Sequence, residues 1–220
     1  MTVGGSAVRP RFLPASLLAA MAVVTAIAGC KVTVAAPAQP SAPPPAAGQD
    51  AASSAPAPAS GGHHRLARIA DEGRVTYSVH LTSCRARAHG QLPDPTCTPG
   101  SVDPAVRQAN IGSTICRSGY TETVRPPESQ TTHAKYDVAY PAYHIGGSPV
   151  SELDHLVSLE LGGSNDITNL WPELGSRPNP KDSVENALHR AVCDGRVSLR
   201  AAQRAIAGNW MTAEARLGLH

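Results

Sequence analysis

The stretch Glu152 to Glu173, ELDHLVSLELGGSNDITNLWPE, constrains the fold more than any other. It reads as a strand, a glycine turn, a loop and a second short strand. Gly162-Gly163 marks the turn, because glycine alone tolerates positive φ without strain. Asn179-Pro180-Lys181-Asp182 then opens a helix, with a side chain suited to capping followed by a proline suited to the first turn. Val184, Leu188, Ala191 and Val192 repeat at helical spacing, and Gly195 stands where helices commonly stop. Lys181, Glu185 and His189 are i,i+4 neighbours on that helix. Ser198 caps a second helix running through Ala207, stopped by Gly208, and Thr212 caps a last turn. The expected class is α+β, with a hairpin-helix core, additional short strands and a helical C-terminal region.

Upstream, RVTYSVHL over residues 74–81 alternates and is β-rich, which predicts a strand. Val75, Tyr77, Val79 and Leu81 would share one face, with His80 on the other. Residues 83–104 hold four prolines and two glycines and read as loop. Asp103-Pro104 predicts a helical turn through Gln108. Thr114 to Cys116 and Gly119 to Val124 read as short extended pieces before Pro126-Pro127. Residues 131–143 predict a short helix and a turn, with Tyr136, Tyr140 and Tyr143 as its aromatic face. No chemistry is assigned to this half.

The first 62 residues differ in kind. They contain no tryptophan or tyrosine and a single phenylalanine. Arg9 and Arg11, an apolar run from Leu13 to Ala28, and Ile27-Ala28-Gly29-Cys30 compose a signal peptide over residues 1–30. Its end resembles a bacterial lipobox, with Cys30 as the lipidated residue and a membrane anchor as the consequence. At ~16 residues the apolar run is marginal for spanning a bilayer. Residues 31–62, rich in Ala, Pro, Ser, Gln and Gly, cannot bury a core and are expected to form a disordered tether. His63-His64 at its end reads as a solvated pair. One domain of ordinary size remains, residues 63–220.

Four further cysteines, Cys84, Cys97, Cys116 and Cys193, form an even set without a C-x-x-C pair. In an exported chain this predicts two disulfides rather than a zinc knuckle. Of the three pairings, Cys84–Cys97 with Cys116–Cys193 is favoured, because the first two share one loop-rich stretch. Of 19 basic and 17 acidic residues, Arg9, Arg11, Lys31 and Asp50 precede residue 63, which leaves 16 of each sign in the domain. A strongly basic footprint is the usual mark of a duplex binder. Its absence argues against tight, sequence-specific DNA binding, but not against a nuclease that grips its substrate locally.

Asp154-His155, Asn169 and Asn179 are the chemistry-bearing set. Phosphodiester hydrolysis needs a base for water and a cation for the phosphate. Histidine suits the first because it titrates near neutrality. Carboxylate and amide oxygens suit a hard divalent ion. In a regular strand, however, His155 would share a face with Leu153, Val157, Leu159 and Leu161. A lone histidine in that setting is ordinarily a core residue. Glu160 and Glu173 read as a solvated strand edge, and Trp171 reads as core.

Leu-Asp-His-Leu-Val, Leu-Glu-Leu-Gly-Gly and Asn-Leu-Trp-Pro-Glu, in this order, resemble the HNH endonuclease family, in particular a secreted or lipid-anchored bacterial subgroup. So do Lys181-Asp182, Glu185, Val192-Cys193, Ala202-Gln203 and Asn209-Trp210. The resemblance spans roughly Cys116 to Trp210, with its motif core over residues 152–194. It implies a ββα-metal nuclease with His155 as general base, Asp154 and Asn179 as metal ligands, and Asn169 as the residue that pins the loop. It further implies one divalent ion, Mg²⁺ or Mn²⁺, no small-molecule cofactor, and a nucleic-acid substrate, DNA ahead of RNA, cut with low sequence specificity at the cell envelope or outside the cell. The alternative is a catalytically silent envelope lipoprotein using the same fold as an interaction module. The chain departs from the family pattern in having Asn at the third position, Ser158 where a proline is expected, and no zinc-binding cysteine pairs.

Overall fold

The computed structural model describes residues 65–219. The signal peptide, Cys30, the tether and His63-His64 lie outside the described residues. Within them the chain is α+β. In order the elements are β1 (Ala67–Arg68), β2 (Ser101–Val102), α1 (Tyr120–Val124), α2 (Glu128–His133), α3 (Tyr140–Ala142), β3 (Ser151–His155), β4 (Leu170–Leu174), α4 (Pro180–Cys193), α5 (Leu199–Asn209) and α6 (Ala213–Arg216). β1 and β2 pair in parallel for two residues. β3 and β4 pair antiparallel, Ser151 opposite Leu174 and His155 opposite Leu170. No helix among the described residues is long and apolar enough to cross a membrane.

β3 stops at His155, so the alternation expected to continue to Leu161 breaks there. Leu156 and Val157 are both buried. They enter different apolar clusters, Leu156 with Ile167, Leu170 and Trp171, Val157 with Leu161, Leu188, Ile206 and Trp210. Two adjacent core residues thus clamp the chain immediately after the Asp154-His155 pair. Residues 159–161 form one 3-10 turn closed by Gly162 at φ 70°. Gly163 is needed for closeness of approach, since a Cβ there would stand 1.7 Å from the Val157 carbonyl oxygen.

α4 starts where the sequence predicts. Asn179 caps it through Oδ1, which accepts from the Lys181 and Asp182 amides, and Asp182 returns a bond to the Asn179 amide. Gly195 follows its end with φ 72°. α5 is capped by Ser198 but runs through Gly208 to Asn209, because Ile206 and Trp210 bury against the core at either side of that glycine. The cysteines are joined as Cys84–Cys97 and Cys116–Cys193, and the second bridge ties α4 to the segment before α1.

The upstream half departs from expectation. Residues 74–81 form no strand, only a bridge between Thr76 and Asp166. Thr76 exchanges backbone bonds with Asn165 and Ile167, and the Asp166 carboxylate accepts from Thr76 Oγ1, Ser78 N and Ser78 Oγ, so side chains take over where the ladder stops. Tyr77 and Val79 stay exposed, while Leu81 is buried. Tyr120 to Val124 is helical rather than extended. The helix expected over 131–143 begins earlier, at Glu128, and passes through a π-helical segment, Ala134–Ala139, just before Pro141. A proline ring removes an i→i−4 bond and crowds the preceding turn, and a widened turn relieves this. Only Tyr140 and Tyr143 of the aromatic face are buried. The helical turn after Asp103 begins later, at Gln108.

Candidate active site

A cleft of about 150 Å³ opens beside β3, lined by Glu152, Asp154, His155, Glu160, Asp182 and Glu185, with Arg125 and Thr121 at its edge. Five of the domain's 16 carboxylates line it. Asp154 and His155 both reach it because the strand ends at His155. They do so differently. Asp154 Oδ2 accepts from Trp171 Nε1 at 3.0 Å and pairs with Lys181 Nζ at 2.8 Å. His155 is 8% exposed, with Nε2 at 2.8 Å from Asn165 Oδ1.

That contact fixes the tautomer. Asn165 Nδ2 donates to Asp71 Oδ1 at 2.7 Å and to the Val124 carbonyl at 2.9 Å. A carbonyl and a carboxylate can only accept, so the amide cannot turn over, and its oxygen must face His155. Nε2 therefore carries the hydrogen. Burial, the largest influence, lowers the His155 pKa, so the ring is neutral near pH 7 and its Nδ1 holds a lone pair. Among the described residues, the solvent-sealed polar side-chain atoms without a partner are Ser158 Oγ, Glu160 Oε2 and Glu173 Oε2. His155 lines the cleft, and its Nδ1 has no hydrogen-bond partner among the described residues.

Asn169 pins the loop, as the sequence suggests. It is fully buried, accepts from Val157 N, and donates to the Val157 and Ser164 carbonyls. The segment carrying the pair is thereby held against the glycine turn. Trp171 is core, yet its indole N–H also fixes Asp154. Asn179 takes a role other than the ligand expected of it. Its oxygen is committed to the α4 cap, and its Nδ2 donates to Glu152 Oε1. The carboxylates that converge, with ligand atoms within 4.8 Å of one another, are Glu152, Asp154 and Glu173.

Glu173 is not at a solvated edge. It is 6% exposed, and burial together with Asp154 raises its carboxyl to about 8. Glu160 Oε2 is likewise sealed rather than solvated. The burial of Lys181 is missed by sequence reasoning, where it reads only as half of an i,i+4 pair. It is wholly buried, donates to the His155 carbonyl at 2.8 Å, and pairs with Asp154 and Glu185. Its ammonium is held protonated by those two carboxylates against the cost of burial. Glu185 is pushed up to about 7, chiefly by burial. Lys181 thus serves Asp154 and Glu185, while Glu152 pairs with Arg177 at 2.7 Å. Burial first, and the neighbouring Asp154 carboxylate with it, raises the pKa of Glu152, Glu173 and Glu185.

This donor set fits a hard divalent ion. All three converging side chains offer carboxylate oxygens, and the orphaned Glu173 oxygen lacks any protein partner. Asn165 and Asp71 also escape sequence reasoning. The only signal for Asn165 is its position directly after Gly162-Gly163-Ser164, and Asp71 lies 94 residues away from it in the chain.

The chain matches no known family model, and no curated protein or solved structure matches it.

Proposed function

We propose that the domain is a ββα-metal endonuclease of HNH type that hydrolyses nucleic-acid phosphodiesters, with β3, β4 and α4 as its core. The observation that carries the reading is the His155 ring, lining the cleft beside a carboxylate cluster, with Nε2–H locked by Asn165 and no protein partner on Nδ1 among the described residues. An imidazole so held is a general base with one usable lone pair. Water attacks phosphorus, its proton passes to Nδ1, and the bond from phosphorus to the leaving oxygen breaks.

Asp154, Glu152 and Glu173 would hold the divalent ion, Mg²⁺ or Mn²⁺, which supplies charge neutralisation at the phosphate and leaving oxygen. Five carboxylates around the cleft repel a phosphodiester unless a cation offsets them, and this favours a metal-dependent reaction. Asn179 acts as a positioning residue: it orients Glu152 and caps α4. Asn169 holds the loop, and Asp71 holds Asn165. Arg125 at the cleft edge suits a phosphate oxygen. We further propose export of the chain with lipidation at Cys30, so that the activity lies at the outer face of the membrane or beyond it.

One observation favours the second reading, a silent interaction module. Lys181 already neutralises Asp154 at 2.8 Å, and a lysine in that position stabilises the cluster without a metal. Supercoiled plasmid and a structured RNA, each incubated with Mg²⁺, Mn²⁺ or EDTA, separate the two. Cleavage that EDTA abolishes is the expected result; no cleavage of either substrate with either ion favours the module.

A further inference from the structure

The balanced charge of the domain conceals a sharp separation. While carboxylates crowd the His155 cleft, a second cleft of about 320 Å³ is lined by Arg65, Arg68, Arg107, Arg200 and Arg204. It lies where the start of α5 meets β1 and the segment after β2. No lining residue carries a carboxylate. None of the five guanidiniums forms an ion pair among the described residues. Arg68 alone has a hydrogen bond, to the Pro104 carbonyl. The two clefts share no lining residue.

The walls are built rather than loose. Gln108 Oε1 accepts from the Leu199 amide at 2.7 Å. Gln203 Nε2 donates to the Leu161 carbonyl at 2.8 Å, fixing α5 to the turn beyond β3. Ser198 takes the Ala201 amide. With the Leu199 and Ala201 amides so used, the guanidiniums are the charged donors that the cleft offers a ligand. Val106 and Leu199, both buried, form an apolar floor beneath them. Five like charges with a single carboxylate near them, Asp103 close to Arg68 but not ion-paired with it, repel one another, and the arrangement is relieved when a polyanion binds. Guanidinium forks match phosphate oxygens in shape and charge. A flat bilayer cannot enter a cleft, whereas a slender strand can lay phosphates on its rim and sugar or base faces on its floor.

We propose that this arginine cleft is an exosite for the sugar-phosphate backbone of a nucleic-acid strand, separate from the His155 cleft. The identity of the polyanion rests on the nuclease reading; the cleft's affinity for phosphate does not. It would supply the grip that the net charge of the domain does not, and being directed at the backbone it would be indifferent to sequence.

The test is binding of a fluorescent single-stranded oligonucleotide by the full chain in EDTA, followed by anisotropy across a salt series. Five single-strand phosphate contacts predict a loss of affinity of roughly a hundredfold between about 50 and 200 mM salt. Arg200→Gln/Arg204→Gln should weaken binding at least about tenfold and flatten the log–log salt slope by about 1.4. Arg190→Gln, at an exposed position of α4 lining neither cleft, should bind as the wild type does. All five arginines are exposed, so the double variant should fold, and its melting curve verifies this. Equal binding and equal salt slope in a folded double variant would overturn the exosite, whether or not the protein cleaves. Arginine-dependent binding to phosphatidylglycerol vesicles with none to the oligonucleotide would overturn the nucleic-acid occupant. Arginine-dependent oligonucleotide binding without cleavage under any ion would support the exosite and defeat the nuclease reading instead.

Discussion

Glu173→Gln tests the cation site without any need for activity. The Glu173 carboxyl ordinarily titrates near 4.5 and stands at about 8 in the folded chain. At ~1.4 kcal/mol per pH unit, that displacement disfavours the ionised form by an upper bound on the order of 4–5 kcal/mol. Between these two pH values the metal-free native state keeps a proton that the unfolded chain has lost. Stability attributable to this group is therefore full below about pH 4.5, falls as pH rises, and levels off above about pH 8. Gln cannot ionise, so Glu173→Gln should lack this part of the decline. Urea unfolding in EDTA at pH 5, 6, 7, 8 and 9 should give similar stabilities for the two proteins at pH 5. The variant should then pull ahead by roughly 1 kcal/mol or more for each unit up to pH 8. Mn²⁺ should stabilise the wild type most at pH 8, where the carboxylate is ionised and free to ligate, and should stabilise the variant less. Parallel pH profiles in EDTA, with equal stabilisation by Mn²⁺, would refute both the buried-carboxyl argument and the ligand role.

Three further perturbations follow from the same geometry. Lys181→Met leaves Asp154 and Glu185 without their buried cation and should cost about 3–5 kcal/mol in urea unfolding; a loss below about 1 kcal/mol would mean the ammonium is effectively solvated. Asn169→Ala orphans the Val157 amide and two carbonyls and should cost at least about 2 kcal/mol, read as a lowered urea midpoint with an unchanged slope. Ser158→Pro should stabilise by about 1 kcal/mol, because Ser158 already has φ −63°, its N–H donates to nothing among the described residues, and its hydroxyl is sealed without a partner; a lowered melting temperature would contradict this.

The C-terminal half was legible in the sequence because its signals are local. Asn179, Ser198 and Gly195 act within a turn of their own positions, and Gly162-Gly163 marks its own bend. The helical spacing of Leu188 and Val192 names its own buried face. Asp154, His155 and Asn169 were legible as a set because a short motif keeps them close in sequence. What remained hidden depends on distant partners. His155 looked like a core histidine because alternation assumes a continuing strand, and only the break after it brings both neighbours to one cleft. Lys181 reads only as half of an i,i+4 pair because spacing alone cannot tell which face of α4 is covered. Glu173 read as a solvated edge because its burial comes from packing that no local pattern records. The segment 74–81 has strand composition, yet only Thr76 pairs by backbone with residues 165–167, and the Asp166 side chain, 90 residues from Thr76, satisfies the next polar groups in place of a longer ladder.

The central claim is that His155 Nδ1 serves as the base in a metal-dependent cleavage, and the most direct measurement is the nuclease rate of His155→Ala on plasmid with Mn²⁺, taken with its melting temperature and Mn²⁺ affinity. The account predicts a folded protein that keeps its metal affinity and loses about 10²–10⁴-fold in rate. A folded His155→Ala protein that cleaves at the wild-type rate would contradict it.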